Sequence, residues 1–150
     1  MRNIMMGLIL TLCVYATFSS IAQQKIGWDL LGEIKYDFVY HEEYKAYYNK
    51  MMPSEGLEAI DGEYVRITGF ILPVSTDGEV YFLSAYPYSA CFFCGGAGQE
   101  SVIELRFKNK PGGYQVDEIK SFAGKFKLND VPFEMNYILE EAVEFVEELK

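Results

Sequence analysis

Two cysteines three residues apart, in Cys91-Phe92-Phe93-Cys94, are the residues of this chain whose type and spacing invite chemistry. A C-x-x-C pair serves a small-loop disulfide, half of a metal site, or a thiol-redox centre. A redox pair of the thioredoxin type opens a helix, whose N-terminal dipole stabilises the first thiolate. Gly95-Gly96 directly after the pair argues against a helix starting there. A metal knuckle, by contrast, uses such a glycine, because positive φ lets backbone amides turn towards the sulfurs. Zinc in a closed site needs four ligands, and Cys91 and Cys94 supply two. The candidates for the others are His41, the only histidine, and Glu100, six residues after Cys94. His41 also reads as an ordinary solvated residue beside Glu42 and Glu43. The plain alternative is a Cys91–Cys94 disulfide that pins a loop while Phe92 and Phe93 pack against the domain. As an oxidoreductase the chain would use Cys91 as nucleophile and Cys94 as resolving thiol. Sequence leaves all three open.

The compartment bears on that choice, and the N-terminus speaks to it. Arg2 precedes an apolar run from Met5 to Phe18, followed by Ser19, Ser20, Ile21 and Ala22. This is the pattern of a cleavable secretory signal, and it predicts a leader over 1–22 with Gln23 as the mature N-terminus. The run is shorter than the ~20 apolar residues of a bilayer span, so no stable membrane span is expected after cleavage. Cys13 would leave with the leader. The expected location is the periplasm or the extracellular space, where two remaining thiols tend to pair.

Residues 23–150 then form one domain, with twelve basic and 22 acidic residues and a net charge of −10. Such a field repels phosphate backbones, which argues against nucleic acid as a partner. Around the cysteines the sequence reads as short strands. Ile34, Tyr36, Phe38 and Tyr40 alternate with polar residues, and the spacing of Tyr44, Tyr47, Tyr48 and Met51 predicts a helix over His41–Met52, ended by Pro53. Asp61-Gly62 introduces a strand over Tyr64–Val74, with Gly69 in mid-strand marking a bend or bulge. Asp77-Gly78 signals a hairpin returning as Val80–Ala85. Val102–Lys108 and Phe122–Leu128 alternate as half-buried strands, and Pro111-Gly112-Gly113 makes a turn. Asn136–Lys150 fits either a helix or a closing strand. The expected fold is mainly β, a small, partly closed antiparallel barrel of about five strands, OB-like, with an N-terminal helical segment.

The stretch Ala59–Val74, with Val-Arg-Ile-Thr-Gly-Phe-Ile-Leu-Pro-Val after its Asp-Gly turn, resembles the opening strand of an uncharacterised family of exported bacterial proteins, a domain of unknown function. In that family this strand leads to a hairpin and a Tyr/Pro-rich loop bearing a cysteine; the counterpart here runs from Phe82 to Gly96. Trp28-Asp29-Leu30-Leu31 and Gly124-Lys125-Phe126-Lys127-Leu128 match its layout. The resemblance implies an OB-like barrel outside the cytoplasm and a closing strand from about Tyr137. It implies no activity. Where the family carries Cys-x-His, this chain carries Cys-Phe-Phe-Cys, a change among ligand-type residues.

The 12 Tyr and 11 Phe could stack on a ligand, yet most fall at expected inward positions and read as core. Tyr86, Tyr88, Phe92 and Phe93 are the candidate ligand surface, beside the cysteines. Glu140, Glu141, Glu144, Glu147 and Glu148 lack the spacing of a calcium loop and read as a solvated face. No phosphate loop, nucleophile elbow or His-Glu-x-x-His helix occurs, and Ser-His or Cys-His catalysis would rest on His41 alone. The sequence therefore points to an exported binding module for a small ligand or an envelope protein, with zinc at the cysteine loop as the cofactor to test. The alternatives are a thiol-disulfide oxidoreductase and a structural subunit of an envelope complex.

Overall fold

The computed structural model describes residues 23–75 and 80–146. The expected leader, the Asp77-Gly78 turn, and Glu147 and Glu148 lie outside the described residues. The described chain runs β1 (Gln24–Lys25), α1 (Trp28–Leu31), β2 (Ile34–His41), β3 (Ala46–Pro53), α2 (Glu55–Ile60), β4 (Tyr64–Pro73), β5 (Tyr81–Ser84), β6 (Val102–Phe107), β7 (Ile119–Leu128) and β8 (Tyr137–Glu144).

Five of these strands close a barrel in the order β4-β5-β6-β8-β7, with β7 pairing back onto β4 from Tyr64↔Lys125 to Phe70↔Ile119. The period-two pattern of β4 explains its wall: Val65, Ile67 and Ile71 are wholly buried, and Thr68 faces solvent. Tyr81, Leu83, Ile103, Leu105, Phe122, Phe126, Tyr137 and Leu139 complete the interior. The barrel is mixed, where an antiparallel one was expected. β6 and β8 run parallel, because β8 enters between β6 and β7 after the chain has crossed the barrel end. The ambiguous C-terminal segment is a strand, for it supplies the pairing that closes the barrel between those two neighbours.

The helix expected over His41–Met52 is instead the second half of a β-hairpin. β2 and β3 pair antiparallel along their whole length, Ile34↔Pro53 to His41↔Ala46, around a turn in which Lys45 takes φ +48°. Tyrosines at three- and four-residue spacing look helical, yet aromatic residues favour pleated, half-buried surface, and β2 offers a matching aromatic strand to pair with. The hairpin is anchored at its base by Ile34 and Met51 in the main core, while Phe38, Tyr40, Tyr44 and Tyr47 are exposed. The aromatics of this segment are therefore surface, contrary to the core reading.

The α-helices among the described residues are α1 and α2, and three single 3-10 turns lie between β5 and β6. Ser54 caps α2 by accepting from the Leu57 N–H at 3.2 Å, and Leu57 and Ile60 are buried on the barrel end. Gly69 in mid-β4 answers a close approach. A Cβ there would stand 2.5 Å from the Ser84 carbonyl and 2.9 Å from the Trp28 ring, so only glycine lets α1 lie against the barrel wall. Among the described residues no helix is long and apolar enough to cross a membrane.

Candidate functional site

The cysteine loop joins β5 to β6 and folds over the outer face of the barrel. Cys91 is wholly buried there with Leu72 and Phe82, and Met135 packs against them. Leu72 and Phe82 alternate with the inward Ile71 and Leu83, so their burial depends on this covering loop. Phe93 meets Phe82 edge-on at 4.9 Å and Phe92 at 5.4 Å. A single 3-10 turn, Phe92–Cys94, separates the cysteines and ends at Gly95 with φ +75°, the left-handed position for which glycine is suited. The Cys91 carbonyl accepts from both the Cys94 and the Gly96 N–H, at 3.2 and 3.1 Å. At the other edge the Tyr88 N–H donates to Asp117 Oδ1 at 2.7 Å.

Both thiols are free, and their exposures are unequal. Cys94 is exposed and Cys91 is sealed in apolar surroundings. The Cys94 thiol is raised above its ordinary range, chiefly by desolvation, then by the charge and hydrogen bond of neighbouring Cys91, with a hydrogen bond from Tyr88 opposing. A raised pKa reduces the thiolate fraction on which nucleophilic attack depends. The role of attacking thiol that spacing alone gave to Cys91 meets its burial, which denies a substrate disulfide access.

The expected four zinc ligands do not converge. Among the described residues no group of three or more His, Cys, Asp or Glu side chains is arranged to hold a metal ion. His41 stands at the tip of the hairpin, its ring 4.8 Å from that of Tyr44 and 6.0 Å from that of Tyr48. Glu100 turns the other way and accepts from the Tyr36 hydroxyl at 3.2 Å. The hairpin that replaced the expected helix extends His41 outwards, so Cys91 and Cys94 are left as a pair.

What the loop does build is a cleft of about 330 Å³ between α1 and the segment leading into β6, lined by Trp28, Gly32, Tyr86, Gly96, Gly98 and Glu100 among others. Its walls are fixed from behind. The Trp28 indole N–H donates to the Thr68 carbonyl at 2.8 Å. Glu100 is held by Tyr36, whose hydroxyl also accepts from Asn136 Nδ2 at 2.7 Å. Tyr36 is raised well above the usual phenol range, first by burial, then by the Glu100 charge and hydrogen bond, with Asn136 opposing. It therefore stays a neutral donor to the carboxylate. Tyr86, in the lining, and Tyr88 are each half exposed.

Against known proteins, no family model and no curated protein matches this chain. Among solved structures, a DUF3299 family protein from Pseudomonas aeruginosa PAO1 superposes with a TM-score of 0.53, over 85% of this chain and 99% of that one, at 16% identity. The likeness is one of fold. That neighbour's family is a domain of unknown function, in line with the resemblance read from the β4 motif, and it assigns no activity to the cleft.

Of the residues read as a ligand surface, Tyr86 lines this cleft, Tyr88 is half exposed, and Phe93 packs against Phe82 and Phe92; Glu100, read as a metal ligand, lines the cleft as well. It missed Trp28, Tyr36 and Asn136. That Trp28 is the only tryptophan was the one available signal for it, since its contact with Gly69 exists only in the fold. Nothing in residue type or spacing announces that Tyr36 and Asn136, a hundred residues apart, share a hydrogen bond.

Proposed function

We propose that this chain is an exported, non-enzymatic binding module built on an OB-type barrel, and that it takes a small ligand or a segment of an envelope protein in the cleft between Trp28 and the Tyr86–Glu100 loop. The observation that carries this reading is the cleft's fixed construction. An indole anchored to Thr68, a carboxylate held by Tyr36 and a glycine-rich wall are in place before any ligand arrives, and preorganised pockets with few polar groups are the usual form of a binding site. The sequence pattern of residues 1–22 supports export.

In this reading Cys91 and Cys94 pin the wall of the cleft. Their thiols are neighbours, and an oxidising disulfide partner in the exported compartment would take their two electrons and two protons to leave a Cys91–Cys94 bond.

Trp28 is the only tryptophan, so its emission reports on the cleft directly. A fluorescence screen of a small-molecule set and of peptides carrying basic, acidic or apolar side chains tests the reading. Ligands that change Trp28 emission and lose affinity in Tyr86→Ala and Glu100→Gln support it. Ligands whose affinity is indifferent to both substitutions overturn the assignment of the cleft.

A further inference from the structure

On the other side of the Gln99–Ser101 turn lies a second groove, of about 200 Å³, between β3 and the chain from Asn129 to Asn136. Its upper walls are aromatic. Tyr47 and Tyr48 come from β3 and Phe133 from the facing loop, and Phe133 lies 5.7 Å from the Tyr48 ring and edge-on to Tyr44 at 5.3 Å. Phe133 holds this position from a left-handed backbone, φ +67°, a conformation that bulky residues seldom adopt. Tyr47 and Phe133 are 59% and 56% exposed, so apolar ring surface borders the groove on two sides.

The floor is polar and built into the fold. Gln99, Asn129 and Asn136 line it, and the two asparagines are only 7% and 4% exposed. Their amide nitrogens each donate within the protein. Gln99 Nε2 donates to the Glu134 carbonyl at 2.8 Å, Asn129 Nδ2 to Glu134 Oε2 and the Met135 carbonyl at 3.0 Å each, and Asn136 Nδ2 to the Tyr36 hydroxyl. A carboxamide held by its nitrogen has its carbonyl oxygen left to offer, an acceptor. Asp130 and Glu134 add carboxylate acceptors, and among the described residues no Lys, Arg or His lines the groove. The chemistry that fits is a ligand with several O–H donors, an apolar C–H face to lie on aromatic rings, and no negative charge.

We propose that this groove binds a neutral saccharide, with one sugar ring against Tyr47 and Phe133 and its hydroxyls donating to the Gln99, Asn129 and Asn136 carboxamides. The inference goes beyond the Trp28 cleft and does not depend on it, since the two lie on opposite sides of the 99–101 turn.

The test is an amide-resolved NMR titration of the purified protein with maltotetraose, cellotetraose and chitotetraose, with spermidine as a cationic probe. Saturable shifts of the Gln99, Asn129 and Asn136 side-chain amides with at least one saccharide are expected. Phe133→Ala and Tyr47→Ala, both at exposed rings, should weaken that binding by roughly tenfold each, the effect of losing about 1.4 kcal/mol of contact. Tyr86→Ala should leave it unchanged, which separates failure here from failure of the cleft. No shift with any of the three saccharides overturns the proposal. So do saccharide shifts that map elsewhere, and shifts at these amides with spermidine alone.

Discussion

The Tyr36 hydroxyl donates to Glu100 Oε2 at 3.2 Å and accepts from Asn136 Nδ2 at 2.7 Å, so one phenol ties the projecting hairpin both to the cysteine loop and to the start of β8. It also sits between the two concavities, with Glu100 lining the Trp28 cleft and Asn136 the aromatic groove. The relationship makes Tyr36 a test of how the surface is held.

Tyr36→Phe keeps the ring and removes both hydrogen bonds. The buried Asn136 amide then lacks a partner, and the expected loss is about 1–3 kcal/mol of unfolding free energy. Urea denaturation gives the magnitude, and the Asn136 side-chain NMR signal should move more than any backbone signal of β4. An unchanged midpoint would show that the hairpin is held by Ile34 and Met51 alone.

Tyr137→Phe removes the buried hydroxyl that donates to the Leu31 carbonyl at 2.8 Å. It should cost a comparable ~1–3 kcal/mol, because the C-terminal carbonyl of α1 is left dry. Since Leu31 follows Trp28 by one helical turn, the Trp28 emission should shift as well.

Three phenols with raised pKa set the alkaline limit. Tyr36 and Tyr137 are raised, chiefly by burial, and Tyr114 is pushed up to about 12 by burial and then by the Glu144 charge, from an ordinary value of 10.0. A group whose folded pKa is raised stabilises the fold fully below its unfolded pKa and loses that contribution as pH climbs through the folded one. Stability should therefore hold up to about pH 10 and fall from there through about pH 12. Phenolate absorbance and circular dichroism followed together should show these tyrosines ionising with unfolding, and Tyr36→Phe and Tyr137→Phe should each shallow the slope.

The cysteines should answer unequally. In reduced protein Cys94→Ser, at an exposed site, is expected near neutral, within about 0.5 kcal/mol. Cys91→Ser puts a hydroxyl among Leu72, Phe82 and Met135 and should cost about 1–3 kcal/mol, recovered in part by Cys91→Ala. Incubation with oxidised glutathione should consume both thiols of the wild type within one chain. Thermal melts and a free-thiol titration decide each point, and equal costs for the two serine variants would contradict the burial asymmetry.

Gly69→Ala tests the seat of Trp28. The added methyl meets a backbone carbonyl that cannot withdraw, so a loss of about 1–3 kcal/mol is expected, together with displacement of the indole and a redder emission.

Strand content was legible because alternation at period two is a local signal. Val65, Ile67 and Ile71 declare their common face from order alone, as do Ile103 and Leu105. The hairpin was not legible in the same way. Tyr44, Tyr47, Tyr48 and Met51 satisfy a helical period by position, and only the presence of β2 as a pairing partner makes them a strand. Residue types likewise name candidate ligands without stating which end of a hairpin carries His41.

The amino-acid sequence by itself determined the mainly-β class, the acidic charge, the turn at Gly62 and the left-handed Gly95, all properties set by neighbours a few residues apart. Tertiary structure alone decided the mixed closure through the parallel β6–β8 pair, the burial of Cys91 against the exposure of Cys94, and the joining of Tyr36 to Glu100 and Asn136. Those relations arise where strands distant in sequence come to lie side by side, and the energy that selects them is in packing and hydrogen bonds between segments that no local pattern records.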